Sequence, residues 1–349
     1  MIEVEDVILS ITHNGYIKRM PVDEYKAQRR GGVGVSAHKT KEEDFVENVM
    51  TTSTHDNILF FSNKGKVYRT KGYQIPEASK GAKGRAIINL LNLEPGEVIN
   101  AYVPVPKESQ GFLMMATKQG LIKKTTLDEF VRINSNGKKA ITFASEDDEL
   151  ISVQLTRGDE QIIMASSGGK CIRFAEEDVR ATGRTSMGVK SIRLDKGEVV
   201  VDMAIVKEEC EVLTITENGY GKRTDLEEYR VQGRAGSGIK VGVLNDKTGN
   251  VVNLKLVNPL TDDVMIIADN GIIIRVKADE ISKIGRNTQG VKVMKMKDDK
   301  AKVVAFTIVP HQDEENTEDS ADGENQEGAQ QSEQASAEQS AETQTNSEE

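Results

Sequence analysis

Tryptophan is absent from this 349-residue chain, cysteine occurs twice and histidine four times. Two cysteines, Cys171 and Cys210, cannot build a disulfide framework, and each lies in an apolar-alternating run that reads as buried and inert. The histidines, His13, His38, His55 and His311, show no metal-ligand spacing, so no metal site is expected. No run of 18 apolar residues occurs, which excludes a membrane-spanning helix. The opening MIEVEDVILS lacks the basic and apolar regions of a signal peptide, and a cytoplasmic protein fits.

The last 39 residues, His311 to Glu349, contain no lysine, no arginine and no Leu, Ile, Val, Phe, Tyr, Met or Trp, but 13 acidic residues. Nothing there offsets the entropy of ordering, so the segment reads as a disordered acidic tail. Taking its 13 charges from the formal −10 leaves residues 1–310 at +3, a mildly basic body tethered to a polyanion. Such a tail either competes with an anionic ligand for the body, because tethering raises its local concentration, or merely solvates the chain.

The body repeats itself. Six segments, VILSITHNGYIKRM, ILFFSNKGKVYRT, GFLMMATKQGLIKKT, IIMASSGGKCIRF, VLTITENGYGKRT and VMIIADNGIIIRV, share an apolar strand, a glycine turn and a second strand ending in basic residues. Their turn glycines are Gly15, Gly65, Gly120, Gly169, Gly219 and Gly271, spaced 50, 55, 49, 50 and 52 residues apart. A second glycine follows 19 residues later, 17 in the third repeat, at Gly34, Gly84, Gly137, Gly188, Gly238 and Gly290. Period-2 alternation across each turn predicts half-buried hairpin strands, and Asn14-Gly15, Asn218-Gly219 and Asn270-Gly271 suggest type I′ turns. Each repeat supplies about four strands and no long helix. Repetition near 50 residues predicts an all-β, six-bladed propeller-like body over 1–310, with repeats at about 6–55, 56–109, 110–158, 159–209, 210–261 and 262–310. A sandwich or solenoid is the structural alternative.

Cations recur in phase with the repeat. After the first turn stand Lys18 and Arg19, Lys66 and Arg69, Lys123 and Lys124, Lys170 and Arg173, Lys222 and Arg223, and Arg275. Around the second glycine stand Arg29 and Arg30, Lys83 and Arg85, Lys138 and Lys139, Arg184 and Lys190, Arg234 and Lys240, and Arg286 and Lys292. Lysine and arginine at strand ends also protect edges and solubilise. Twelve positions in register instead predict a positive belt with interleaved glycines, suited to a long uniform polyanion such as duplex DNA. The glycines would let backbone N–H groups approach phosphates. No base-reading motif is present, and with aromatics at 4 per cent, platforms for stacking single-stranded bases are scarce. SSGGKC at Ser166–Cys171 lacks the spacing of a phosphate loop, and Asp147-Asp148, Glu176-Glu177 and Glu208-Glu209 read as solvated loop acids.

The stretch Gln28–Gly34, QRRGGVG, preceded by SITHNGYIKRMPVDEYKA, resembles the gyrase-A box of the C-terminal domain of the DNA gyrase A subunit. It matches six of the seven positions of the family's QRRGGKG, with Val33 in place of a basic residue. The resemblance extends over 1–310, including ENGYGKRT and the Arg-x-x-x-Gly-(Val/Ile)-Lys motifs. It implies a six-bladed β-pinwheel, with Gln28, Arg29, Arg30, Gly31, Gly32 and Gly34 among its DNA contacts. It further implies wrapping of duplex DNA that supports ATP-driven negative supercoiling by a cytoplasmic, nucleoid-associated enzyme. Catalysis would lie elsewhere: the family's tyrosine precedes this domain, and ATP with Mg is used by the B subunit of an A2B2 holoenzyme. The chain itself is expected to hold no catalytic centre and no cofactor, and as an isolated domain to be monomeric and free of membrane contact. The related A subunit of topoisomerase IV, which typically lacks an intact box, is the nearer alternative. A propeller scaffold for proteins is the more distant one, and a propeller enzyme would need convergent carboxylates or histidines that the repeats do not supply.

Overall fold

The computed structural model describes residues 2–22, 44, 46–79, 81–296 and 300–311, all of which fall in one compact unit. Gln28 to Gly34 and the tail from residue 312 lie outside the described residues.

Six antiparallel sheets follow one another along the chain as the blades of an all-β propeller. In the second blade the inner strand Ile99–Val105 pairs with Asn57–Ser62, which forms a hairpin with Lys66–Lys71, and the two-residue strand Lys138–Lys139 closes the outer edge. That outer strand belongs to the next repeat. The same donation places Arg85–Ala86 on the first blade, Val189–Lys190 on the third, Ile239–Lys240 on the fourth and Val291–Lys292 on the fifth. Repeats two to six thus each build three strands of their own blade and the rim strand of the preceding one. The sixth blade shows three strands among the described residues: Ile273–Lys277, Asp262–Ala268 and Val303–Pro310. Its inner strand Val303–Pro310 packs against Val46–Ser53, the inner strand of the first blade.

The hairpin turns differ from the type I′ expectation. Among the described residues Ala235 alone of the non-glycines has positive φ, so Asn14, Asn218 and Asn270 do not adopt it. The loop has three residues, with the N–H of Gly15 donating to the Thr12 carbonyl and the glycine at φ 79°. This is a type I turn followed by a left-handed glycine, the three-residue hairpin loop. A hydroxyl just before the turn tightens it: Thr12, Ser62, Thr117, Ser166 and Thr216 each accept from the backbone N–H four residues on.

Packing also departs from the half-buried expectation. Within Asn57–Ser62, Ile58 and Phe60 pack toward the first blade while Leu59 and Phe61 pack toward the third. In blades two to five each first hairpin strand lies between two neighbouring sheets and packs on both faces, which writes a continuous run rather than strict alternation. The core is therefore a series of slabs between facing blades. Burying each Ile, Leu or Phe contributes about 2 kcal/mol.

Candidate nucleic-acid interface

The in-phase cations divide into two structural classes. The first belongs to the protein interior. Lys18, Lys123 and Lys222 sit three residues past the turn glycines of repeats one, three and five, and expose 6%, 1% and 3% of their surface. Lys18 Nζ donates to the carbonyls of Ser79 and Ala82 at 3.0 and 2.8 Å. Lys123 Nζ donates to Ala140 at 2.7 Å and to Arg184, and Lys222 Nζ to Gly285, Arg286 and Thr288 at 3.1, 2.5 and 2.9 Å. Burial pulls the Lys123 and Lys222 ammonium groups down to about 8. Each lysine pins the loop of the next repeat from beneath, and none presents its charge to a ligand.

In repeats one to five the next position along the strand clasps the following repeat. Arg19 donates to the Ile75 carbonyl and pairs with Glu77, and Arg69 donates to Val131. Lys124 donates to Glu176, Arg173 to Leu226 and Tyr229, and Arg223 to Ile281 and Asp279. Arg275 pairs with Asp263 and donates to Pro310. Lys124 and Arg223 are buried, and Arg19, Arg69 and Arg173 half-buried. The expectation that these cations form a rim belt is corrected for Lys18, Lys123, Lys124, Lys222 and Arg223: the carbonyls of the incoming loop claim their donors. Arg19, Arg69 and Arg173 have the same kind of partner. Two of the acids expected to be solvated are also interior: Glu176 accepts from Thr156 Oγ1 at 2.5 Å and from the N–H groups of Gly158 and Glu160, and Asp148 accepts from Gln119 N–H at 2.8 Å. Cys171 is buried as expected, and desolvation drives its thiol far above the usual range.

The second glycine has a protein neighbour as well. A Cβ on Gly84, Gly188, Gly238 or Gly290 would stand 2.6, 2.8, 2.5 and 2.9 Å from the carbonyl oxygens of Ile17, Ile122, Cys171 and Gly221. These glycines let the donated rim strand approach the preceding blade.

The second class of cations is surface-borne and lies on the donated strands. Arg85, Lys139, Lys190, Lys240 and Lys292 are exposed, as is Lys83, and Lys138 is half-exposed. Lys83 stands 4.1 Å from the centroid of the Tyr16 ring and Lys292 4.9 Å from that of Tyr220. Three loop arginines link neighbouring rim strands through their guanidinium groups: Arg184 donates to the Lys139 carbonyl, Arg234 to Lys190 and Arg286 to Lys240. Cations of successive repeats are thereby brought together along the outer edge of blades two to five. Lys66 and Lys170 lie at the same end but are paired with Glu94 and Asp195. Sequence reasoning missed Arg132, Arg180, Arg193 and Arg230, all exposed on the loops between rim strands. The phase of Arg180 and Arg230, each eight residues before its second glycine, was the available signal.

Residues 6–53, 56–104, 111–157, 160–207, 211–258 and 262–310 match the family model of the DNA gyrase C-terminal domain, beta-propeller. The DNA gyrase A subunit of Staphylococcus epidermidis (strain ATCC 12228 / FDA PCI 1200) is 45% identical over 302 residues, covering 85% of this chain and 34% of that protein. The same subunit of Staphylococcus aureus (strain NCTC 8325 / PS 47) is 44% identical over 323 residues, covering 91% and 36%. The chain therefore spans about a third of the length of these relatives. A solved DNA gyrase A C-terminal domain superposes with a TM-score of 0.66 at 27% identity, over 87% of this chain and 99% of that one. The C-terminal domain of a DNA topoisomerase IV superposes with a TM-score of 0.77 at 23% identity, over 89% and 95%, a likeness of fold. Six repeats, their donated rim strands and these matches together make the chain a member of the DNA gyrase C-terminal β-propeller family.

Proposed function

We propose that the body binds duplex DNA without base specificity and bends it around the outer edges of the blades, as the wrapping part of a gyrase A subunit. The observation that carries this reading is the row of rim cations, Arg85, Lys139, Lys190, Lys240 and Lys292 exposed and Lys138 half-exposed, linked across blades two to five by Arg184, Arg234 and Arg286. Their spacing follows the fold, so the contacts are to phosphates, which position the duplex without reading it. Bending about 40 base pairs through roughly 180° costs on the order of 11 kcal/mol for an elastic rod. Two or three contacts do not sustain that arc; about six to twelve do, with a salt slope of about −5 to −11. In the holoenzyme, wrapping would present a neighbouring segment for strand passage. Cleavage would belong to the remainder of the A subunit, ATP hydrolysis to the B subunit.

The test is a footprint of the chain on a mixed-sequence duplex combined with a bend measurement at low and high salt. Salt-sensitive binding with a long protected stretch and a large bend is expected; absent or salt-insensitive binding would favour a protein scaffold. In the reconstituted enzyme, alanines at Gln28 to Gly34 should abolish supercoiling and leave relaxation or decatenation largely intact. Truncation after Pro310 should tighten DNA binding by removing the competing polyanion.

A further inference from the structure

The short 3-10 turns that follow the hairpins carry paired carboxylates: Asp128 and Glu129, Glu177 and Asp178, Glu227 and Glu228, Asp279 and Glu280. They fill the second and third positions of the turn in repeats three to six, and all eight residues are exposed. Acidic residues favour helix starts, yet none of these turns has a side-chain cap hydrogen bond, so capping leaves the pattern unexplained.

Their placement relative to the rim cations follows from strand register. In the fourth blade Lys170 pairs with Lys240 next to the hairpin turn. Three residues on, Arg173 bridges Val231, and its guanidinium holds the carbonyls of Leu226 and Tyr229, which flank Glu227 and Glu228. At about 3.4 Å per residue, the carboxylates lie about 10 Å or more along the blade edge from Lys240. The third blade repeats this with Lys190 opposite Leu121 and Lys124 holding the Glu176 carbonyl. The fifth does so with Lys292 opposite Tyr220 and Arg223 holding Ile281. The two rows are tied together. Arg286 donates its backbone N–H to Glu228 Oε2 at 2.7 Å and its Nη1 to Lys240, and Arg234 donates to the carbonyls of both Asp178 and Lys190.

We propose that the carboxylate row is the far boundary of the DNA path. It repels phosphates that stray from the rim strands, holding the duplex at one level on blades two to five and so setting the pitch of the wrap. This rests on the wrapping reading above. The separation of the rows is about one Debye length at 0.1 M salt, so the boundary acts most strongly in dilute salt. Without it, Arg132, Arg180 and Arg230, exposed on the same loops, would draw the duplex sideways.

The experiment compares the full chain with E177Q/E227Q/D279N and with a control, E146Q/D147N/D246N, that removes three exposed charges elsewhere. Binding and bending of a mixed-sequence duplex are measured at 50 and 200 mM salt. The boundary variant should bind about 5-fold tighter at the lower salt, losing most of that gain at the higher, while its footprint blurs and its bend decreases. The control should keep footprint and bend and gain less than about 2-fold. Identical behaviour of the two variants, or no change in either, would overturn the boundary alone. Failure of the unmodified chain to bind or bend the duplex would overturn the wrapping reading and this inference with it.

Discussion

Arg286 donates from Nη1 to the carbonyl oxygen of Lys240 at 2.7 Å, which joins the cations of two successive repeats on one stretch of outer edge. Lysine contributes only its backbone to this bond, and its ammonium remains at the surface. The same relation links Arg234 to Lys190 and Arg184 to Lys139.

Lys139→Ala, Lys190→Ala and Lys240→Ala should therefore each weaken DNA binding by a similar factor on unrelated sequences. Each should also lower the steepness of log K against log salt by about one. Titrations at four salt concentrations check this. A sequence-dependent loss would point to base contacts instead.

Lys222→Met should act on stability rather than on binding. It leaves the carbonyls of Gly285, Arg286 and Thr288 without their buried donor, at a cost of about 2–3 kcal/mol. Urea denaturation reads the loss, and the folded fraction should keep the salt slope of the parent.

The two buried lysines also predict an alkaline signature. Lys123 and Lys222 titrate near 8 in the folded chain, below the ordinary 10.5 of an unfolded lysine. Between these values the unfolded chain holds more protons, so stability rises with pH. Cys171 opposes this above about pH 9, because its thiol stays protonated when folded but ionises when unfolded. Denaturation midpoints from about pH 7.5 to 9 should rise in the parent. They should stay flat in K123M/K222M.

Gly238→Ala should destabilise by about 2–3 kcal/mol, since φ is +69° and the new Cβ would stand 2.5 Å from the Cys171 carbonyl. Gly183 has no atom within 4 Å of its Cβ position, and Gly183→Ala should stay within about 0.5 kcal/mol. Thermal unfolding of both variants separates the glycine that admits the rim strand from the one that merely lies in its loop.

Repeat length and the hairpins were legible because a tight turn needs glycine locally and a strand writes its burial into adjacent side chains. The turn type was misread because Asn-Gly is compatible with two loop lengths; hydroxyls at Thr12 and Thr216 brace the longer loop in two of these turns, and the third forms it after Ala268 without one. One signal for the buried lysines was present. The position of Lys18, Lys123 and Lys222 is held by Tyr68, Ile172 and Ile274 in the other repeats, an apolar alternation that marks an interior site. Phase alone concealed it, since a buried clasp and a rim contact recur with the same period.

The amino-acid order by itself determined how many repeats exist, where each turns and that cations accompany every repeat, because these are properties of neighbours along the chain. Which cations face outward was decided only when repeats two to six laid their rim strands on the preceding blades. That donation sets backbone carbonyls from one repeat against lysines and arginines of another, about 60 residues away, as with Lys18 and Ser79 or Lys123 and Arg184. An ammonium group enclosed by such carbonyls is held there by its hydrogen bonds, and the surface charge is what the donated strands leave exposed.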